Sequence, residues 1–221
     1  MIRAVRHVAA QGITQYMDIG TGLPSSPAVH EIARQGDPAS RVAYIDNDPV
    51  VLSHARALLA TGPRVAVVPG DMRQPGAILG NTQLRSLIDL DEPVCVILAS
   101  VLHFVTAAEA DAIVTAFITA MAPGSFLVLS AGTSTGTDPV LIDRLTAAYQ
   151  DAAAVTGRTE VEIAAYFSGL QVEPPGLTDV WAWRPDVRRR WPPSGARILG
   201  AVARKPASFA AAASSGIRRT R

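Results

Sequence analysis

The sequence predicts a domain of the α/β class, in which helices cover an open and mostly parallel sheet. Three observations support this fold class. Apolar segments typical of strands alternate five times with helical patterns between residues 15 and 156. One of these segments, PVCVILAS (93–100), is apolar throughout, as expected for a strand inside a parallel sheet. After residue 168 the alternation ends, and two strand-like segments follow one another without a helix between them.

The individual elements follow in chain order. Apolar residues at Ile2, Val5 and Val8 predict a short amphipathic helix that Gly12 terminates. Two proline-containing pairs, Ser26-Pro27 and Asp48-Pro49, are typical helix starts, with the first residue as N-cap. Strands are predicted at 15–19, 41–46, 64–71, 93–100 and 125–133, and further helices at 28–36, 50–60, 76–88, 107–121, 138–156 and 159–168.

The C-terminal part of the chain departs from this alternation. TDVWAW (178–183) and RILGAVARK (197–205) are predicted strands whose connection carries no helical pattern, so we expect an antiparallel pair. Residues 206–221 are of low complexity, and we expect them to be disordered. We therefore predict one domain over residues 1–205 followed by a tail.

Composition argues against several classes of function. The net charge of +1 does not favour a general electrostatic grip on nucleic acid. The single cysteine, Cys95, cannot form a disulfide within the chain and is expected to be a buried apolar residue. No stretch reaches the roughly 18–20 apolar residues that cross a bilayer. The four histidines form no cluster with acids or cysteine at ligand spacing, so we expect no metal site. From the missing apolar stretch we expect no membrane association. Because the N-terminus lacks the apolar core of a signal peptide, we expect a cytoplasmic protein.

The ends of the predicted strands are the places to look for a ligand, because open α/β sheets bind ligands outside the carboxyl ends of their strands. The first strand ends in DIGTG (18–22), where Gly20 and Gly22 permit a tight turn and close approach of a ligand. A dinucleotide motif would require a glycine where Ser25 stands, and Pro24 removes an N–H donor. The alternative is a simple strand–helix turn.

The second and third strands both end in acidic residues. Asp46 can accept hydrogen bonds from the two hydroxyls of a ribose, while Asp48 is free to cap the next helix. Asp71 can accept from the exocyclic amine of an adenine, and Met72 can cover the ring. Each acid taken alone has a simpler interpretation, as a helix cap or a solvated turn residue. Together with Gly20 and Gly22, they predict a site for an adenine nucleoside.

The fourth strand is followed by a short segment that could face a substrate. It begins at Ser100 and contains His103, which could accept a proton or contact a substrate. The alternative is a structural histidine held by hydrogen bonds. The residues alone do not decide between the two.

Four of these segments also resemble a known family. DIGTG, YIDNDPVVLSHARALL, PGDMR and ILASVLHFV resemble the successive motifs of class I S-adenosylmethionine-dependent methyltransferases. The longer combination of DIGTGLP, HE, VAYIDNDPVV and VLHFV resembles a bacterial subgroup whose substrates are unassigned. The resemblance covers roughly residues 1–205. It implies a Rossmann-like, mostly parallel seven-stranded sheet with an antiparallel last strand, helices on both faces, and S-adenosylmethionine as cofactor.

The resemblance also implies roles for particular residues. The turn that contains Asp18, Gly20, Thr21 and Gly22 would face the methionine part of the cofactor, Asp46 would hold the ribose hydroxyls, Asn47, Asp71 and Met72 would meet the adenine, and Ser100, His103 and Phe104 would line the side facing the transferred methyl. Two departures from the subgroup are expected to matter. Its members usually carry an additional N-terminal segment, and Ala28 stands where a polar residue is usual.

The function implied is methyl transfer to a small-molecule acceptor, with His103 as the candidate residue on the acceptor side. A second hypothesis is a protein that binds S-adenosylmethionine or its demethylated product without catalysis. A third, a nicotinamide-dependent oxidoreductase, shares the acid after the second strand but is disfavoured by Pro24 and Ser25. The sequence indicates neither the acceptor nor the oligomeric state.

Overall fold

The computed structural model of the chain describes residues 1–138, 140, 142–144, 147, 157–186 and 195–207. The predicted helix over 138–156 lies mostly outside these residues. The predicted tail, apart from residues 206 and 207, lies outside them as well.

The described elements alternate between strands and helices up to residue 133. The helices are α1 (Ile2–Ala10), α2 (Val29–Gly36), α3 (Pro49–Leu58), α4 (Pro75–Leu79), α5 (Thr82–Leu87), α6 (Ala107–Ala120) and α7 (Glu160–Ala165), with a 3₁₀ turn at Leu102–Phe104. The strands are β1 (Gln15–Ile19), β2 (Arg41–Asp46), β3 (Val65–Pro69), β4 (Cys95–Ala99), β5 (Phe126–Thr133), β6 (Gln171–Val172), β7 (Thr178–Asp179) and β8 (Arg197–Arg204).

All eight strands join one sheet. Its order is β3-β2-β1-β4-β5-β8-β6, and β7 pairs with β8 beside β6. Strands β1 to β5 are parallel, and β8 runs antiparallel to β5 from Phe126↔Arg204 to Thr133↔Arg197. The mostly parallel sheet with an antiparallel last strand is therefore confirmed. Within the described residues the sheet has eight strands instead of seven, because its edge is split into two short strands of two residues each.

The sequence was less successful at this edge. The predicted strand over 178–183 is a strand only at Thr178–Asp179, because the chain then turns and the amides of Ala182 and Trp183 bond to the Asp179 carbonyl.

The predicted helix over 76–88 is interrupted. Gly80 ends α4, and the Asn81 side chain caps α5 by accepting from the amides of Gln83 and Leu84.

The two predicted helix starts had different outcomes. Asp48 caps α3 as expected, accepting a 2.7 Å hydrogen bond from the Val50 amide. The prediction for Ser26-Pro27 was wrong, because α2 begins at Val29 with Ala28 as its N-cap. There the Glu31 carboxylate accepts from the Ala28 amide at 2.7 Å, which is the half of a capping box that an acid three residues after the N-cap supplies.

Helices pack on both faces of the sheet, as predicted. One apolar core joins α1, α2 and α3 to the face that carries Tyr16, Val42 and Cys95. The second core joins the helices α4, α5, α6 and α7 to the face that carries Met17, Ile45 and Leu127. Cys95 is fully buried, which confirms its assignment as a core residue, and burial raises the pKa of its thiol. These two layers leave the ends of the strands as the accessible edges of the sheet.

The residue after β8 fastens the sheet to the end of α6. Lys205 is 7% exposed, and its ammonium donates to the carbonyls of Ile118 (2.8 Å), Thr119 (3.3 Å) and Met121 (2.6 Å). Carbonyls at a helix C-terminus have no partner within the helix, and a cation there also interacts favourably with the helix dipole. Burial lowers the pKa of the Lys205 amine.

Replacing Lys205 by Met should destabilise the fold by about 2–3 kcal/mol. The substitution keeps the apolar stem but removes charge-assisted hydrogen bonds and leaves buried carbonyls without a donor. For a chain of this size, this corresponds to a fall in melting temperature of roughly 5–10 °C. Scanning calorimetry of Lys205→Met beside Arg85→Met, a change at an exposed position of α5, would measure it. Equal melting temperatures for the two variants would contradict the assigned role of Lys205.

Candidate functional site

A cleft of about 400 Å³ opens at the carboxyl ends of β1, β2, β3 and β4. This volume lies within the range of pockets that hold small ligands and cofactors. The cleft is lined by Gly20, Gly22, Asp46, Asn47, Asp48, Val51, Gly70, Asp71, Met72, Arg73, Val101, Phe104 and Val105.

The turn after β1 brings bare backbone to the cleft. Gly20 and Gly22 have φ values of +68° and +64°, in the left-handed region that side chains other than glycine rarely adopt. A Cβ on Gly20 would lie 2.6 Å from Cγ1 of Val101, whereas one on Gly22 would meet no atom within 4 Å. Gly20 is therefore required for packing against the segment after β4, and Gly22 leaves open space beside the cleft.

Asp46 connects two of the turns that form the cleft. Its Oδ2 accepts from the Gly22 amide at 2.9 Å and its Oδ1 accepts from the Asp48 amide at 3.0 Å. The residue is 8% exposed. A carboxylate has about four acceptor positions, so two bonds leave each oxygen able to accept one more. The carboxylate is thus held in place and still able to bind a ligand hydroxyl.

The turn after β3 carries an ion pair. The guanidinium of Arg73 donates to both oxygens of Asp71, with a shortest distance of 2.6 Å. These bonds hold the pKa of the Asp71 carboxyl below its usual range. Met72, between them, is half-buried and packs against the core on the α4–α7 side.

The segment after β4 forms the opposite wall of the cleft. Ser100 has φ +58°, an uncommon value for this residue type, and its amide donates to the Ser130 carbonyl at 2.9 Å. The hydroxyls of Ser100 and Ser130 lie 3.2 Å apart. This turn places the side chain of Val101 against Gly20, and the 3₁₀ turn that follows places Phe104 in the cleft wall.

His103 lies in the same 3₁₀ turn, with its ring centroid 4.1 Å from that of Phe104. It does not line the cleft as Phe104 does. Its Nδ1 is buried and has no hydrogen-bond partner within the described part of the chain. Burial, with a smaller contribution from the charge of Arg158, lowers the pKa of His103, so its imidazole is neutral near pH 7.

Arg158 supports this wall from behind, and sequence reasoning did not find it. The residue is 1% exposed, and its guanidinium donates to the carbonyls of Val105 (3.0 Å) and Thr106 (3.1 Å) and to the Tyr166 hydroxyl (2.6 Å). In the sequence, Arg158 is marked only by its place between Gly157 and Thr159, and Thr159 is the residue that caps α7. Arg73 and Val105 were likewise not predicted at the cleft.

The structure brings most of the predicted site residues together, though not all of them. Gly20, Gly22, Asp46, Asn47, Asp71, Met72 and Phe104 line the one cleft. Asp18 and Thr21 lie beside it, around a small cavity of about 20 Å³. Ser100 and His103 belong to the wall segment without lining the cleft itself.

Asp18 is the most perturbed acid in this region. Its Oδ2 accepts from the Thr21 hydroxyl at 3.0 Å, and the residue is 4% exposed. Burial, aided by the nearby charge of Asp46 and opposed by the Thr21 hydrogen bond, raises the pKa of Asp18 to about 6. The carboxyl is therefore charged at neutral pH at a cost to stability.

Within the residues described, no group of three or more His, Cys, Asp or Glu side chains could hold a metal ion. No helix in this part of the chain has both the length and the apolar character needed to cross a membrane.

The fold and the polar groups at its carboxyl edge define an α/β protein with a site suited to a nucleoside. The chain belongs to the S-adenosyl methyltransferase family, whose sequence model matches residues 1–206. It is therefore a methyltransferase that uses S-adenosylmethionine, and the resemblance to class I methyltransferases is confirmed. This family assignment does not support the hypothesis of a nicotinamide-dependent oxidoreductase. None of the curated proteins matches the chain in sequence.

Solved structures agree with this assignment. A DUF574 family protein from Streptomyces avermitilis is 39% identical, with a TM-score of 0.87 over 93% of this chain and 80% of that one. A candidate methyltransferase from Thermobifida fusca is 34% identical, with a TM-score of 0.86 over 93% and 78% of the two chains. The N-methyltransferase NodS from Bradyrhizobium japonicum, 14% identical, shares the fold with a TM-score of 0.56 over 93% and 94%.

Because the pKa of Asp18 is raised, the free energy of unfolding of the chain should decrease as the pH rises. The protonated carboxyl contributes stability that is fully present below its ordinary pKa of 3.8 and lost as the pH rises through about 6. The difference between these pKa values corresponds to about 3 kcal/mol.

Urea unfolding at pH 4 and pH 7 would measure this loss. Asp18→Asn should gain about 2–2.5 kcal/mol relative to wild type between the two pH values, because an amide does not ionise and wild type has lost a small part of the contribution already at pH 4. Asp91→Asn, an exposed change before β4, serves as the matched control and should follow the wild type. The same pH dependence in all three proteins would show that Asp18 is not the titrating group.

Proposed function

We propose that this chain transfers the methyl group of S-adenosylmethionine to a small-molecule acceptor, and that Asp46 is the ligand of the cofactor ribose. The observation that carries the proposal is that the Asp46 carboxylate is held by two backbone amides and can still accept further hydrogen bonds. The amides of Gly22 and Asp48 fix its position, and each oxygen retains acceptor capacity in the lining of a cleft of suitable size. A ribose presents two adjacent hydroxyl donors, which match the two oxygens of one carboxylate.

The turn after β3 fits the adenine end of the cofactor. Asp71 is an acceptor for the exocyclic amine, and the thioether of Met72 offers a soft apolar surface to the ring. Asn47 lies beside Asp46 in the same wall and is assigned to the adenine as well. Arg73 already occupies both oxygens of Asp71, so adenine binding at Asp71 requires this ion pair to share or release an oxygen.

The turn after β1 fits the methionine end. Gly20 and Gly22 keep side chains out of the space beside the cleft, and Asp18 and Thr21 stand next to it. The carboxylates of Asp18 and Asp46 favour the positive charge that the cofactor carries on its sulfonium and its ammonium group. Ser100 closes this end by fixing the turn that brings Val101 against Gly20.

The protein's main contribution to the reaction is positioning. When bound, S-adenosylmethionine supplies an electrophilic methyl on a good leaving group, and alignment of a nucleophile with it can lower the barrier by about 7–11 kcal/mol. Val101, Phe104 and Val105 give this region an apolar wall. His103, neutral near pH 7, is the candidate group for contacting the acceptor or taking its proton.

A small acceptor agrees with the size and charge of the site. The cleft of about 400 Å³ must hold the nucleoside of the cofactor as well as the reacting end of the acceptor. A net charge of +1 gives the chain no general attraction for nucleic acid.

Titration calorimetry with S-adenosylhomocysteine tests the role of Asp46. Asp46→Asn should bind roughly 10- to 100-fold more weakly than wild type, because a charged hydrogen bond contributes about 1.5–3 kcal/mol. The matched control is Asp91→Asn, which makes the same chemical change before β4 and should bind like wild type. Equal affinity in Asp46→Asn and wild type would remove Asp46 from the cofactor site.

Turnover tests the catalytic part of the proposal. Formation of S-adenosylhomocysteine from S-adenosylmethionine would be followed across a panel of small acceptors with O, N and C nucleophiles. Turnover with one of them is the expected result, and His103→Ala should then lower its rate. Tight S-adenosylhomocysteine binding without turnover on any acceptor would favour the non-catalytic alternative.

A further inference from the structure

The ion pair between Asp71 and Arg73 follows from the local sequence. In the turn after β3, Oδ1 of Asp71 accepts from the backbone amide of Arg73 at 2.9 Å. An aspartate that bonds to the backbone two residues further on forms an Asx turn. This turn starts the Arg73 side chain beside the carboxylate, and both side chains line the cleft.

Arg73 fills the acceptor positions of the Asp71 carboxylate. Besides the amide, Oδ1 accepts from Nε of Arg73 at 3.0 Å, and Oδ2 accepts from Nε at 3.0 Å and from Nη2 at 2.6 Å. A carboxylate has about four acceptor positions, and these contacts occupy them. Asp46 differs, because two backbone amides leave each of its oxygens able to accept one more hydrogen bond. A ligand donor that approaches Asp71 therefore meets a competing donor, whereas one that approaches Asp46 does not.

Arg73 can leave Asp71 without burying a charge. The Arg73 side chain is 53% exposed, and that of Asp71 is 23% exposed. In the part of the chain that the structure describes, the Arg73 guanidinium donates to no other group. The hydrogen bonds to Asp71, and to a smaller extent the charge of Glu109, raise the pKa of Arg73. A released guanidinium would thus face solvent and the negative charge of Glu109, so its displacement breaks only an exposed ion pair.

We propose that Arg73 competes with the adenine of the cofactor for the Asp71 carboxylate and thereby weakens the preference of the cleft for adenine. The inference rests on the proposed function, which assigns Asp71 to the exocyclic amine of the adenine. When the adenine binds, an N–H of this amine replaces the guanidinium on an oxygen of Asp71. A purine without the amine leaves the ion pair intact. Arg73 is therefore a specificity-determining residue, because it opposes only those bases that use Asp71.

Titration calorimetry with two probes tests this competition. The probes are S-adenosylhomocysteine and its 6-deamino analogue, in which hydrogen replaces the exocyclic amine. Arg73→Met should bind S-adenosylhomocysteine roughly 2- to 5-fold more tightly than wild type, which is the range expected for loss of an exposed ion pair. The 6-deamino analogue should bind equally to the two proteins, because it does not need Asp71. Arg85→Met, the same change at an exposed position of α5, should bind both probes like wild type.

Two further measurements separate competition at Asp71 from a new contact made by the methionine. On an Asp71→Ala background, Arg73→Met should leave the affinity for S-adenosylhomocysteine unchanged, because the carboxylate that the two donors share is absent. Raising the salt concentration from about 0.05 M to about 0.5 M NaCl should reduce the difference between wild type and Arg73→Met, because salt screens an exposed ion pair.

Three outcomes would overturn the inference. They are equal affinity of wild type and Arg73→Met for S-adenosylhomocysteine, weaker binding by Arg73→Met, and an equal gain for both probes. If S-adenosylhomocysteine binds and Asp46→Asn weakens it, any of these outcomes contradicts the role of Arg73 and leaves the proposed function in place. If wild type and Arg73→Met both fail to bind S-adenosylhomocysteine, the proposed function itself is contradicted, and this inference with it.

Discussion

The hydrogen bond from the Gly22 amide to Asp46 is the contact on which the geometry of the candidate site depends. It joins the turn after β1 to the turn after β2 at a distance of 2.9 Å, while the Asp48 amide holds the other carboxylate oxygen. One side chain therefore sets the separation of two backbone turns and fixes the orientation of its own acceptor positions. The glycines make this possible, because both adopt left-handed backbone conformations: the Gly20 amide donates to the Ile45 carbonyl at 2.8 Å, and the Gly22 amide is turned toward the carboxylate.

The opposite wall depends on contacts between elements distant in the chain. Ser100 holds its left-handed conformation because its amide bonds to β5, and Arg158 fixes the segment after it through the carbonyls of Val105 and Thr106. Uncommon backbone conformations persist where the surroundings fix them, and such places are often functional. The cleft is consequently rigid on the β1–β2 side through a carboxylate and on the β4 side through a buried guanidinium.

The fold could be predicted because the alternation of elements determines it. Parallel strands joined by helices bring Gly20, Asp46 and Asp71 to one edge whatever the details of the loops. Contacts between distant residues gave no such signal. Arg158 reaches Val105 across 53 positions, and Arg3 reaches Trp183 across 180, so neither pairing has a local pattern. The two-residue strands β6 and β7 are likewise too short to show periodicity.

Lys205 has a chemical consequence of its own. It is the only lysine in the sequence, and its amine is buried against the end of α6. Apart from the α-amino group, the chain therefore offers no side-chain amine to acylating reagents while β8 and α6 remain together. Acylation of Lys205 would therefore mark molecules in which its hydrogen bonds to the end of α6 have opened. The extent of acylation would report how often β8 separates from the helix layer.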